Sequence, residues 1–291
     1  MTAKYLLSRI TATFLLVTAF LQPCCISASA PGEIRWNDEA RDTSFITNLL
    51  ISLDRRQPLS SNIVTIAKAF EGRPYGSGTL EHSPELLTIN TDTLDCTTLV
   101  DYVTALAITI NEGRTSWRDF VYNLRNIRYR GGNVDGYPSR LHYVSEWIVD
   151  NSHRGNLVEV TTRVAPSTDY VVKTLDYMSS HRDKYPALKD QDTYDRVKNY
   201  ELGYRSHRYP YIKTLNVDRT ALRDGDIIAL TTKTPGLDVT HMGIVMTGDD
   251  GNPHLFHASS KEGKVILDPL PLSQFLRRSR TANGIRVIRI E

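Results

Sequence analysis

Cys96 lies at the start of a strongly apolar helical stretch. Leu99 and Ile110 fall on one face of that stretch, and Asp95, or Thr93 before it, carries the type of oxygen that caps a helix. Unpaired N–H groups and the positive end of the helix dipole would favour a thiolate and lower the pKa of the thiol. The same N–H groups could hold an oxyanion that forms on an attacked carbonyl. We therefore predict that Cys96 is a nucleophile.

A thiol nucleophile needs a general base, and two of the eight histidines suit that role. His241 and His257 lie on two strand-like segments that flank the turn-forming residues 248–252. If this hairpin has no bulge, Gly243 pairs near His257, and the two imidazoles are diagonal neighbours with open space beside Gly243. His241 is the predicted base and His257 its orienting partner. The alternative is that both are satisfied polar residues of a half-buried sheet.

The other histidines give weaker signals. His142 could line a pocket, whereas four are expected to be solvated in polar loops: His82, His153, His181 and His207. His254 precedes His257 by three residues, so on a strand their side chains diverge and do not share a zinc ion. The sequence contains neither a His-Glu-x-x-His nor a Cys-x-x-Cys pattern. No metal or other cofactor is therefore expected.

The first 30 residues have the pattern of a secretory signal. Lys4 and Arg9 precede an apolar run from Ile10 to Leu21, and Ala28-Ser29-Ala30 supplies a cleavage site. The run falls short of the roughly 20 residues that span a bilayer. We expect an exported protein, in the periplasm or the cell envelope. The alternatives are a lipoprotein anchored through Cys24 and a buried N-terminal helix.

Cleavage after Ala30 would leave Cys96 as the only cysteine, because Cys24 and Cys25 leave with the signal. A lone thiol in an oxidising compartment is buried and inert, paired with another chain, or kept for chemistry. The mature chain would carry 33 basic and 33 acidic residues. This neutrality gives no support for nucleic-acid binding. We expect a monomer without an integral membrane segment.

Periodicity predicts the elements that position these side chains. Residues 31–60 read as a surface helix and residues 62–71 as a second helix. A strand is expected through three valines, Val158, Val160 and Val164. Beyond residue 220 the chain reads as successive strands with one short helix near Gln274.

These elements predict an α+β fold, in which the Cys96 helix packs on an antiparallel sheet. We expect one catalytic domain over residues 31–291. Its core would comprise residues 60–113 and 220–291, and residues 114–219 would form an insertion that shapes the substrate cleft.

Four motifs resemble those of NlpC-type cysteine peptidases. They are Asp95-Cys96-Thr97-Thr98, Arg223-Asp224-Gly225-Asp226-Ile227, His241-Met242-Gly243-Ile244-Val245 and Phe256-His257-Ala258-Ser259. The resemblance implies a papain-like fold and hydrolysis of amide bonds in peptidoglycan. It implies that Cys96, His241 and His257 form the catalytic triad. One departure is Thr97-Thr98, where Ser-Gly is commoner.

The sequence is most similar to the N-acetylmuramoyl-L-alanine amidase-like branch. The matching patterns, within residues 60–290, are Gly72-x-Pro74-Tyr75 with Thr79-Leu80-Glu81, Arg140-Leu141-His142-Tyr143 and Gly236-Leu237-Asp238-Val239-Thr240-His241. This resemblance implies cleavage between N-acetylmuramic acid and L-Ala of peptidoglycan or muropeptides. It suggests five substrate-binding residues: Tyr75, Glu81, Arg140, Tyr143 and Asp238. Two alternatives stay open: an endopeptidase cutting between D-Glu and the third stem residue, and a non-catalytic wall-binding protein.

Overall fold

A computed structural model describes residues 34–291, which belong to one compact unit. The predicted signal segment, with Cys24 and Cys25, lies outside the described residues. In the part of the chain that the structure describes, no helix has the length and apolarity to cross a bilayer.

Helices and strands are mixed along the chain. The helices are α1 (Glu39–Ser52), α2 (Leu59–Lys68), α3 (Cys96–Asn111), α4 (Trp117–Arg128), α5 (Val144–His153), α6 (Tyr177–Ser180), α7 (Gln191–Leu202) and α8 (Leu272–Arg278). The strands are β1 (Ile34–Trp36), β2 (Leu87–Ile89), β3 (Val158–Glu159), β4 (Asp169–Lys173), β5 (His207–Lys213), β6 (Ile227–Thr232), β7 (Val239–Thr247), β8 (Pro253–Ser259), β9 (Lys264–Pro271) and β10 (Ala282–Arg289).

One antiparallel sheet organises the protein. Its strand order is β4-β5-β10-β6-β7-β8-β9, and β3 also pairs with β10. The strands β1 and β2 form a separate parallel pair. The combination of helices with an antiparallel sheet confirms the α+β prediction, and the strands predicted beyond residue 220 are present as β6 to β10.

Side chains of β7 and β8 alternate between two apolar clusters. Met242, Ile244 and Phe256 face the larger cluster, which contains most of α3. Val245 and Leu255 face the second cluster, which α8 closes. Because α3 packs against β7 and β8 on one side and against α2 and α4 on the other, it is buried nearly all round. The helix that carries Cys96 is therefore the centre of the fold.

The prediction for residues 31–60 is wrong in detail. This stretch contains β1, all of α1 and the start of α2 rather than one helix. Pro58 lies at the N-cap of α2 and separates the two helices. Moreover, α1 is not a simple surface helix, since Leu49 and Leu50 are buried in the larger cluster.

Residues 114–219 contribute to the core as well as to the surface. Helix α4 buries Phe120, Leu124 and Ile127 beside α3. Strand β5 pairs with β10 within the main sheet. The predicted valine strand is only the two residues of β3, and Val164 is buried beyond its end. This segment therefore cannot be removed without opening the central core.

Candidate active site

A complete capping box fixes Cys96 at the first position of α3. The Asp95 carboxylate accepts a hydrogen bond from the Thr98 backbone N–H at 2.8 Å, and the Thr98 hydroxyl accepts one from the Asp95 backbone N–H at 2.9 Å. This reciprocal pair of hydrogen bonds fixes Asp95 as the N-cap and Cys96 as the first helical residue. Cys96 is half-buried and is the one free cysteine among the described residues. The predicted N-cap and helix start are confirmed.

The sulfur reaches the sheet where β7 and β8 separate. The Val245 N–H donates towards β6, to the Asp226 carbonyl at 2.8 Å, so the N–H of Met242 points the other way, towards β8. The pairing of β7 with β8 ends at Ile244. The Met242 N–H is consequently free to donate to the Cys96 sulfur. The thiol therefore lies at the opening between the two strands, one residue from His241.

The two hairpin histidines contact each other as the alternation predicts. His241 Nε2 and His257 Nδ1 are 2.7 Å apart, and the two rings are nearly perpendicular. The ring of Phe275 in α8 packs edge-on against His257. One nitrogen of His241 is thus engaged by His257, which leaves Nδ1 as the nitrogen available to a reacting group.

The pKa values of these groups depend mainly on burial. Burial, followed by the charge of Asp95, raises the pKa of the Cys96 thiol to about 11, although the Met242 N–H and the Thr97 hydroxyl favour the thiolate. The prediction that the helix start lowers this pKa is therefore wrong, because the cost of desolvating a thiolate is larger than the helix effect. Burial lowers the pKa of His241 to about 4, and burial with the charge of His241 lowers that of His257 to about 3. At neutral pH the resting site is a thiol beside neutral imidazoles.

An acidic residue that sequence reasoning missed lies behind His257. His257 Nε2 is 3.5 Å from Asp268 Oδ2. Asp268 belongs to β9, two residues beyond Ile266, the partner of His257 across the β8–β9 pairing. The spacing places Asp268 on the face of His257. No sequence pattern signals this, because the register of β9 against β8 decides which residue of β9 lies opposite His257.

The open space expected beside Gly243 is occupied. A Cβ added there would lie 2.7 Å from both the Leu255 side chain and the Phe256 carbonyl oxygen. Glycine therefore serves to bring β8 close to β7, which keeps His241 within reach of His257.

Substituting Gly243 with alanine is expected to force β7 and β8 apart. We expect the free energy of unfolding to fall by about 1–3 kcal/mol, as in other overpacked cores, together with a loss of activity. Urea unfolding and hydrolysis assays check this. Thr240→Ala, an exposed change on the same strand, is the control. Wild-type stability in Gly243→Ala would contradict the close approach of the strands.

Tyr75 is the member of the suggested binding set that lies beside Cys96. Its backbone N–H donates to the Gly263 carbonyl at 2.8 Å, and Tyr75 bridges Leu94, two residues before the cysteine. Burial, then the charges of Cys96 and Asp95, raise the pKa of the Tyr75 phenol. The phenol of Tyr75 is therefore neutral at neutral pH and lies within electrostatic range of the Cys96 sulfur.

Arg140 and Glu81 form an ion pair with each other. Arg140 is almost fully buried and donates to Glu81 Oε1 at 2.7 Å and to the Leu80 carbonyl at 3.0 Å. The guanidinium also lies over the Tyr137 ring. These contacts fix the loop around residues 80–85, and the outer Glu81 carboxylate is the exposed partner.

Tyr143 and Asp238 are enclosed in the protein. The Tyr143 hydroxyl donates to Glu201 at 2.6 Å. Asp238 has no exposed surface, and its carboxylate accepts from the backbone N–H of Ser145 at 2.6 Å, at the start of α5. Asp238 therefore ties α5 to the segment that leads into β7, whereas Tyr143 joins the start of α5 to α7. A supporting role fits these contacts better than contact with substrate.

The remaining histidines lie apart from the pair. His254 faces away from His257, as predicted, and bonds to the Asp268 carbonyl and the Asp250 carboxylate. His142 contacts the Tyr137 carbonyl at 2.9 Å in a tight internal site. His207, expected in a polar loop, is instead the half-buried first residue of β5.

A groove of about 550 Å³ opens beside the histidine pair. Its lining combines apolar and charged groups from β7, β8, β9, α8 and the adjoining turns: His241, His257, Ser259, Ser260, Lys261, Glu262, Asp268, Pro269, Leu270, Phe275, Arg278 and Ser279. Of these residues, sequence reasoning identified only the two histidines as functional. The groove has the size of a small-molecule or peptide site.

The fold and the site together define a class: α+β proteins with a helix-start thiol at the edge of a histidine pair on an antiparallel sheet. The family model for N-acetylmuramoyl-L-alanine amidase-like proteins matches residues 65–285. The chain belongs to this amidase-like family, as the sequence motifs predicted.

Solved structures agree with this assignment. An N-acetylmuramoyl-L-alanine amidase from Bacteroides uniformis is 39% identical, with a TM-score of 0.75, over 80% of this chain and 99% of that one. A Bacteroides fragilis protein proposed to be a xylanase is 41% identical, with a TM-score of 0.72, over 78% of this chain and all of that one. A Legionella pneumophila protein of the DUF1460 family model shares the fold at 22% identity, with a TM-score of 0.67, over 87% and 95% of the two chains. A comparison with curated proteins gives no significant match.

Proposed function

We propose that this protein is a cysteine amidase of a papain-like type that cleaves the amide between N-acetylmuramic acid and L-Ala in peptidoglycan or muropeptides. The observation that carries the proposal is the arrangement of Cys96, held against the Met242 N–H at the opening next to the His241–His257 pair. Family membership supports a cell-wall amide as the substrate. The reaction needs no metal or cofactor.

In the proposed first half-reaction, His241 Nδ1 accepts the thiol proton as the Cys96 sulfur attacks the lactyl carbonyl. The carbonyl oxygen becomes an oxyanion, which the N–H groups in the first turn of α3 stabilise, because such groups have no partner inside the helix. The amide C–N bond then breaks, and the His241 imidazolium returns its proton to the amine of L-Ala. A thioester remains on Cys96, and the peptide departs.

In the second half-reaction, neutral His241 removes a proton from water, and the resulting hydroxide attacks the thioester carbonyl. The C–S bond breaks, the lactyl carboxylate leaves, and Cys96 recovers its proton. Because the pKa of the thiol is raised and that of His241 is lowered, proton transfer accompanies attack rather than preceding it as a stable ion pair. Tyr75 is positioned to donate a hydrogen bond near the sulfur.

Mass analysis of muropeptide digests tests the proposed bond. Release of a stem peptide with a free N-terminal L-Ala, together with unsubstituted muramic acid, supports the amidase. Release of the peptide that begins at the third stem residue, with L-Ala–D-Glu left on muramic acid, would instead assign the endopeptidase. Xylan is tested as well, because the Bacteroides fragilis relative is proposed to be a xylanase. Activity on xylan alone would reject the amidase. Absence of hydrolysis of every wall fragment would reject it too.

We also propose that the chain is exported after removal of residues 1–30 and acts as a monomer in the periplasm or cell envelope. N-terminal sequencing of the secreted protein tests the cleavage site. Acylation at Cys24 would indicate a lipoprotein instead. A dimer that dissociates only on addition of a reducing agent would indicate that Cys96 forms a disulfide with another chain.

Arg278 is expected to bind a carboxylate of the stem peptide. It lies exposed on the groove wall, whereas its neighbour Arg277 pairs with Asp218 outside the groove. We expect Arg278→Gln to raise KM about threefold to tenfold with little change in kcat, as loss of roughly 1 kcal/mol of charge-assisted binding predicts. Steady-state kinetics on a muropeptide check this. Arg277→Gln is the matched control, and equal KM values for the two variants would contradict the assignment.

A further inference from the structure

We propose that Asp268 is a fourth member of the site, a positioning residue whose carboxylate fixes the protons of both histidines in the one arrangement that can accept the Cys96 proton. This inference rests on the proposed function for its consequence in catalysis. Its geometric basis is independent of the reaction.

Two neutral imidazoles joined by one hydrogen bond have two possible proton arrangements. In the first, His241 carries its proton on Nε2 and donates to His257 Nδ1, which leaves His241 Nδ1 free to accept. In the second, His257 donates from Nδ1, and the His241 proton moves to Nδ1. Only the first arrangement gives the thiol a base. The 2.7 Å contact between His241 and His257 fits both.

The other nitrogen of His257 decides between them. In the first arrangement His257 Nε2 carries a proton and faces the Asp268 carboxylate, which can only accept. In the second arrangement an imidazole lone pair would face the carboxylate at the same 3.5 Å, which is repulsive. Within the described chain, His257 Nε2 is buried and has no hydrogen-bond partner. Asp268 is therefore the group that selects the productive arrangement.

The carboxylate is itself held in place. Asp268 Oδ1 accepts from the Leu270 N–H at 2.9 Å, and the Asp268 carbonyl accepts from His254 Nδ1 at 2.8 Å. Its side chain is only 13% exposed, so water screens it weakly. When His241 becomes an imidazolium during the reaction, the negative charge of Asp268 favours that state through His257.

The titratable and charged groups around His257 either contact it directly or line the groove beside it. His241 on β7 and Asp268 on β9 contact it directly. Lys261, Glu262 and Arg278 line the same groove in exposed positions. The Glu262 carboxylate pairs with Lys261 and does not contact His257. Glu262→Gln therefore removes a negative charge from the groove without removing a partner of His257.

Asp268→Asn and Asp268→Leu test the proposal in the mature protein, and Glu262→Gln is the control for the position of the His257 proton. We expect both Asp268 variants to lower kcat about 10- to 100-fold, the typical effect of an orienting partner, with KM nearly unchanged. The acid limb of the kcat profile should move to lower pH, because the His241 imidazolium loses its stabilising charge. Asp268→Glu should restore part of kcat. Circular dichroism melting confirms folding of each variant.

A second readout does not depend on activity. Nitrogen-15 NMR of the imidazole rings reports which nitrogen of His257 carries the proton. We expect a proton on Nε2 in the wild type and in Glu262→Gln, and a shift towards Nδ1 in Asp268→Leu. An unchanged proton position in Asp268→Leu, or a kcat within about twofold of wild type in Asp268→Asn and Asp268→Leu, would overturn the role of Asp268. Wild-type protein that is inactive on all muropeptides but shows the expected NMR change would reject the proposed function and retain the positioning role.

Discussion

Cys96→Ala is expected to abolish hydrolysis of muropeptides, with a fall in kcat of at least about 10⁴-fold, the scale seen when a covalent nucleophile is removed. Cys96→Ser should be almost as inactive. A serine hydroxyl is a far weaker acid than a thiol, and burial at the first turn of α3 already raises the pKa of the natural thiol to about 11. His241 would have to deprotonate a still weaker acid in the same desolvated position.

The measurement is single-turnover hydrolysis of a purified muropeptide by the mature chain, with calorimetry to confirm that the variant still binds. Cys96 is only half-buried, so replacing it should leave the helix cap of Asp95 and Thr98 intact and the fold unchanged. Iodoacetamide should modify one thiol in the wild type, inactivate it, and leave Cys96→Ala unmodified. Wild-type turnover in Cys96→Ala would end the proposal of a cysteine hydrolase.

The parts of the site that the sequence predicts correctly depend on local rules. A capping residue followed by an apolar helical repeat fixes where α3 begins, so Cys96 could be placed at its first turn. Alternation along two strands on either side of a recognisable turn places His241 beside His257. Both predictions need only the nearest neighbours in the chain or across one hairpin.

The predictions that fail involve burial or long-range register. The raised pKa of Cys96 follows from desolvation of the sulfur by surrounding elements, and no local pattern reports how far neighbours desolvate a side chain. Asp268 reaches His257 because β9 pairs with β8 in a register that sets Ile266 opposite His257, and the local sequence does not show that register. The space assumed beside Gly243 is filled because β8 approaches closely there. In each case the deciding contact comes from another element.

The suggested binding residues show that a shared motif does not give its members the same role in the structure. The backbone of Tyr75 bridges Leu94, two residues before Cys96, and a thiolate at Cys96 would raise the pKa of its phenol. Asp238 belongs to the same motif as His241, yet its carboxylate caps α5 inside the protein. A motif of adjacent residues can thus contain one side chain of the proposed catalytic pair and another that holds the neighbouring segment in place. The groove wall formed by β9 and α8 carries no motif of this kind.

Acidification from about pH 6.5 to pH 5.5 is expected to destabilise the folded protein strongly. Three histidines have pKa values that are lowered far, mainly by burial: His142 to about 3, His241 to about 4 and His257 to about 3. Burial also lowers the pKa of His207. Nearby arginine charges add to the shift for His142. An unfolded histidine has a pKa near 6.5. In this pH range the unfolded chain therefore binds protons that the folded chain does not.

The free energy of unfolding then falls as the pH falls, because the unfolded state binds more protons. Each fully effective histidine contributes a slope of about 1.4 kcal/mol per pH unit, so three give at most about 4 kcal/mol per unit. Two carboxyl groups oppose this effect. Burial raises the pKa values of Glu85 and Glu146, so these carboxyl groups take up protons more readily in the folded state. The range between pH 6.5 and pH 5.5 covers the onset of histidine protonation in the unfolded chain.

Urea unfolding at several pH values in this range measures the slope. His142→Gln should reduce the slope of the unfolding free energy against pH by nearly the contribution of one histidine. Glutamine can still donate to the Tyr137 carbonyl, but it does not titrate. This variant lies outside the reacting groups, so its activity at pH 7 should stay near that of the wild type. His82→Gln is the matched control, since His82 is exposed and its loss should leave the slope unchanged. A wild-type slope in His142→Gln would show that the buried imidazole does not contribute to acid sensitivity.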